Sequence, residues 1–145
     1  ILPTIRSRTQ IFQFKKQVAN LMVELEKAGL VKNKARLLAE FSQSQAEAEK
    51  LTNQTSFWTL VEESERFYSW LDAGKKETYL QVAKLASLAD DKEKQDQVFR
   101  ILEVLAGQEI QKNVARTILQ NLLEARKMWK ANVSFQNAME YLVLQ

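Results

Sequence analysis

The chain has 145 residues and a net charge of +3, a length that suits one large domain or two small ones. Its three glycines and one proline are too few for the turns of an all-β fold. The lack of cysteine excludes disulfides and thiolate chemistry, and the lack of histidine removes the commonest general base and zinc ligand. Because Ala, Leu, Glu, Gln and Lys are abundant, we expect an all-α protein.

The first 14 residues differ from the rest of the chain. Pro3 prevents a helix interior there, and isoleucines and phenylalanines surround a polar stretch. The chain does not begin with methionine. We therefore expect residues 1–14 to be extended or irregular, and to be the tail of a domain that precedes them.

Three short helices are predicted next. The first begins near Lys16, has apolar residues at spacings of three and four, and ends at Gly29, which suits a left-handed C-terminal cap. The second and third cover about 32–42 and about 44–52. Their predicted buried residues are Ala35, Leu37, Leu38 and Phe41, followed by Ala46, Ala48 and Leu51. The polar stretch 53–56 is the best candidate for a domain boundary.

The remaining residues are predicted to form a second bundle of about five longer helices. Ser56 is predicted to cap the first of them, and Ser134 can cap the last. Asp90-Asp91 places negative charge at the start of another helix, where the backbone dipole favours it, and Gly74 and Asn132 mark two helix ends. In the helix at about 76–89 the expected buried stripe is Tyr79, Val82, Ala83, Ala86 and Ala89. In the longest helix it is Ile110, Val114, Ile118, Leu122, Ala125 and Trp129.

Charge is unevenly distributed along the chain. The first 36 residues carry a net charge of +6, residues 37–103 carry −5, and the rest carry +2. Lys32, Lys34 and Arg36 are candidates for a basic face directed at DNA. The alternative interpretation is ordinary solvated charge on helix surfaces.

The sequence gives no sign of secretion or membrane insertion. No apolar run approaches the roughly 20 residues that a membrane helix requires, and no signal peptide is recognisable. The glycosylation pattern at Asn132-Val133-Ser134 has no meaning without secretion. We expect a cytoplasmic protein with no membrane contact.

Carboxylates are the only groups available for an independent hydrolase or metalloenzyme. They cluster in two runs, Glu62, Glu63 and Glu65, and Asp90, Asp91 and Glu93. Neither run has a histidine or cysteine to complete a catalytic or metal site. We expect both runs to be solvated or to complement helix dipoles, and we reject the independent enzyme.

Two segments, LPTIRSR at residues 2–8 and ANVSFQNAMEYL at residues 131–142, resemble clamp-loader subunits of bacterial DNA polymerase III, which belong to the AAA+ family. The first is similar to the segment around the Ser-Arg-Cys motif that ends the AAA+ module, with Thr9 in place of the cysteine. The second resembles the closing helices of the delta-prime subunits, especially in Gram-positive bacteria. Between them, residues 18–51 are similar to the three-helix lid of that family.

The resemblance implies a division into three parts. Residues 1–14 would end the AAA+ module, residues 15–54 would be the lid, and residues 55–145 would be a helical collar domain. It also implies that Arg8, with Ser7 as its motif partner, acts as an arginine finger in trans on ATP bound by a neighbouring gamma/tau subunit. Because the chain has no GxxxxGK[ST] loop, we expect a non-catalytic subunit without a cofactor or metal of its own.

The resemblance also implies the partners. The chain would join gamma/tau and delta subunits in a hetero-pentamer that uses ATP to load the sliding clamp on primer-template DNA. In that family the C-terminal bundles pack side by side into a collar. Trp70, next to an apolar stripe, is the candidate for the collar interface. Trp129 lies on the stripe of the longest helix, and we expect it in the core.

Two other interpretations stay open. The same region of a gamma/tau subunit would have a similar lid and collar, and an intact ATP-binding loop in the preceding sequence would distinguish it. A free-standing helical DNA-binding or adaptor domain belongs to a different class. Duplex binding that weakens with salt and on neutralisation of basic residues would favour it, although no helix-turn-helix corner is recognisable.

Overall fold

The computed structural model describes residues 16–145, which form α-helices joined by turns, with no β-strand among them. The all-α prediction is confirmed. The chain separates into two compact units, Ile1–Asn53 and Gln54–Gln145, and the division lies inside the polar stretch 53–56. None of the described helices is both long enough and apolar enough to cross a lipid bilayer.

Short helices make up the described part of the first unit. They are α1, described over residues 16–27, α2 (Lys32–Phe41) and α3 (Gln45–Thr52). The prediction for Gly29 is confirmed: its φ of 104° ends α1 and lets the Leu30 amide donate to the Leu25 carbonyl at 3.2 Å.

In α2 and α3 the apolar core follows the predicted pattern with one exception. The buried residues in α2 and α3 are Ala35, Leu37, Leu38, Ala39, Phe41, Ala48 and Leu51. The prediction for Ala46 is wrong, because α3 buries the side that contains Ala48 and Leu51 and leaves Ala46 exposed. Ser44 caps α3, since its Oγ accepts a hydrogen bond from the Glu47 amide at 3.2 Å.

Five helices make up the second unit. They are α4 (Thr55–Asp72), α5 (Thr78–Leu88), α6 (Lys92–Gln108), α7 (Asn113–Lys130) and α8 (Phe135–Leu144). Short connections make consecutive helices antiparallel. Helix α4 packs against α5 and α6, α6 against α7, α7 against α8, and α8 against α5. The helices therefore close a ring in the order α4, α5, α8, α7, α6.

Helix ends in the second unit are set mostly by local residues. Asp91 and Ser134 cap α6 and α8, accepting hydrogen bonds from backbone amides three residues later at 2.8 and 3.1 Å. Gly74 and Asn132 have positive φ angles of 67° and 73° and end α4 and α7. The prediction for Ser56 is wrong, because α4 begins one residue earlier, at Thr55, and has no side-chain cap.

The buried face of α5 differs from the predicted one. It contains Thr78, Gln81, Val82 and Leu85, whereas Tyr79 and Ala83 are exposed. The prediction followed apolar residues, but two of the buried side chains are polar and have partners. The Thr78 hydroxyl donates to the Lys75 carbonyl at 2.6 Å, and Gln81 contacts α4.

The start of α7, which was predicted to be the longest helix, also differs from the prediction. Ile110 and Val114 are exposed, whereas Ile118, Leu122 and Ala125 are buried as predicted. Helix α7 begins only at Asn113, so Ile110 lies in the connection before it. Two apolar side chains that were expected in the core therefore lie on the surface.

The ring of helices has two ends. The Trp70 end contains the C-termini of α4, α6 and α8 and the N-termini of α5 and α7, and the Ser134 end contains the opposite termini. At the Trp70 end, the Tyr68 hydroxyl donates to Glu109 Oε2 at 3.2 Å. Burial and the neighbouring Glu109 carboxylate raise the pKa of Tyr68, so its phenol remains a donor.

Candidate interaction surface

The two residues with an expected role in ATP hydrolysis, Ser7 and Arg8, lie outside the described residues. The roles assigned to them stay predictions. Among residues 16–145, no group of three or more His, Cys, Asp or Glu side chains is placed to hold a metal ion.

The candidate DNA-facing residues stand at the beginning of α2. Lys32, Lys34 and Arg36 are all exposed. Residues four apart share one side of a helix, whereas residues two apart point in nearly opposite directions. Lys32 and Arg36 thus lie on one side, Lys34 lies on the other, and the Arg36 Nε is 3.2 Å from Glu40 Oε1. All three cations are exposed, but they do not lie on a single face of α2.

The tryptophans differ in their surroundings. Trp129 is half-buried: its Nε1 donates to Gln95 Oε1 at 2.8 Å, and its ring centroid lies 5.4 Å from that of Phe99. These contacts join α7 to α6, but the core prediction required full burial, and Trp129 is not fully buried. Trp70 is also half-buried, and the Lys75 Nζ lies 5.5 Å from its ring centroid. Part of Trp70 therefore stays accessible to a partner.

A groove of about 270 Å³ opens at the Trp70 end, beside the residue that follows Trp70. Four apolar side chains line it, and the other lining residues are amides and one threonine. They are Leu71, Val114, Ile118, Leu142, Asn113, Asn121, Gln145 and Thr117. No charged side chain lines this groove. The sequence did not indicate it, because Leu71 of α4 lies far along the chain from the lining residues of α7 and α8.

A buried carboxylate joins α4 to α5. Glu63, expected to be solvated, is buried instead, and its Oε2 accepts a 2.6 Å hydrogen bond from Gln81 Nε2. Its Oε1 lies 3.1 Å from Lys84 Nζ and 3.4 Å from an Arg66 nitrogen. Burial opposes ionisation, but the hydrogen bonds from Gln81 and Lys84 and the charges of Arg66 and Lys84 hold the pKa of Glu63 below its usual value. Since its oxygens are all engaged, we assign Glu63 a structural role.

Replacing Glu63 with glutamine is expected to lower the free energy of unfolding by about 2 kcal/mol near neutral pH, because the amide cannot pair with Lys84 and Arg66. The lowered pKa means that the carboxylate stabilises the fold fully above about pH 4.3, its unfolded pKa, and loses this effect as the pH falls through the folded value. The difference between Glu63→Gln and the wild type should therefore shrink in acid. Urea unfolding at several pH values measures it, with Glu62→Gln, at an exposed neighbour, as control.

A second polar cluster joins α6 to α7. The Arg126 guanidinium pairs with Asp96, donates to Glu103 Oε1 at 2.7 Å, and lies 5.8 Å from the centroid of the Phe99 ring. Its side chain is mostly buried. Because both acidic partners come from α6, this arginine fixes the alignment of the two helices.

Comparison with protein families, curated proteins and solved structures finds no match to this chain. The resemblance noted in the sequence therefore stays a prediction. The described residues place an uncharged groove and a half-buried tryptophan at one end of a five-helix ring. Such a surface suits contact with another protein.

Proposed function

We propose that the chain is a non-catalytic part of a bacterial DNA polymerase III clamp loader of the delta-prime type. The observation that carries the proposal is the LPTIRSR segment, in which Ser7 and Arg8 match the family motif. The similarity of residues 131–142 to the closing helices of delta-prime subunits supports it. An accessible groove with uncharged lining side chains, among them Leu71, suits a unit that packs against sister proteins.

In this proposal each part of the chain has its own task. The first unit acts as the lid, and the second joins the collar through protein contacts. Arg8 acts on ATP that a gamma/tau subunit binds, so the chain needs no cofactor of its own. The complex, which includes the delta subunit, works in the cytoplasm and loads the sliding clamp on primer-template DNA.

Reconstitution tests the proposed function. The full-length protein is co-expressed with the gamma/tau and delta subunits of the same organism, and the complex is isolated by size-exclusion chromatography. We expect one stable complex that loads the clamp on primed DNA, and no clamp loading when this protein is omitted. A protein that neither co-elutes with these subunits nor changes their ATP turnover would show that the proposal is wrong. If the full-length protein hydrolyses ATP by itself, the gamma/tau alternative is correct.

A further inference from the structure

We draw no further inference here: the strongest candidate, the surface patch at the connection between α4 and α5 where Lys75 and Lys76 are exposed beside Trp70, carries nothing because Asp72 and Glu77 are exposed among the same residues and nothing in the structure shows what covers the patch.

Discussion

Replacing Phe99 with alanine is expected to lower the free energy of unfolding of the second unit by about 4 kcal/mol. Phe99 is fully buried on α6, and its ring centroid lies 5.4 Å from Trp129 on α7 and 5.7 Å from Phe135 on α8. The Arg126 guanidinium lies 5.8 Å from the same ring. Truncation would leave a cavity where three helices meet, and the neighbouring side chains cannot all move to fill it.

Tryptophan fluorescence during urea unfolding measures this effect. All three tryptophans of the chain lie in the second unit, so their emission follows that unit and not the first. The control is Leu80→Ala, a truncation at a side chain that is 70% exposed, and it should change the stability by less than about 0.5 kcal/mol. A loss below about 1 kcal/mol for Phe99→Ala would contradict the central position assigned to this ring.

Under the proposed function, replacing Arg8 with alanine is expected to slow ATP hydrolysis at the neighbouring gamma/tau site by roughly 10³–10⁵, the usual effect of removing an arginine finger. The reason is that charge builds up on the transferred phosphoryl group, and a planar guanidinium can bind its oxygens with two hydrogen bonds. The rate of this step is measured in the reconstituted complex as the ATPase activity stimulated by primed DNA and the clamp. Clamp loading should fall with it.

Two further measurements make the Arg8 result specific. Complex formation by Arg8→Ala should equal that of the wild type, because under the proposal assembly depends on the second unit. Arg8→Lys should also be impaired, since an ammonium group is a point charge without the paired geometry of arginine. If Arg8→Ala retains full ATPase activity and clamp loading, the residue has no role in catalysis.

Features that depend on a few neighbouring residues were predictable from the sequence. The helical class, the caps at Asp91 and Ser134, and the helix ends at Gly74 and Asn132 all follow from local backbone chemistry. The buried stripe of α8 follows from its period, because Phe135, Ala138, Met139 and Leu142 are both apolar and correctly spaced.

Features that depend on a partner helix were not predictable in this way. The pattern assigned Tyr79 to the core and gave Gln81 no role, because only the position of Glu63 on α4 makes the burial of an amide favourable. Val114 has the correct spacing for the core, yet it borders the groove, since no neighbouring helix covers it. For the candidate site, the partial exposure of Trp70 also depends on how the helices pack. The roles proposed for Ser7 and Arg8 rest on the sequence motif alone.

The contact between Glu63 and Gln81 restricts how α5 can align with α4. If α5 slid by one helical turn, Thr78 or Leu85 would replace Gln81, and neither offers the carboxylate an amide donor. The mostly buried carboxylate would then lose that hydrogen bond, at a cost of about 1–3 kcal/mol. A purely apolar interface would tolerate such a shift, but this contact opposes it. Helix α5, against which α8 packs, is therefore held in a single register on α4.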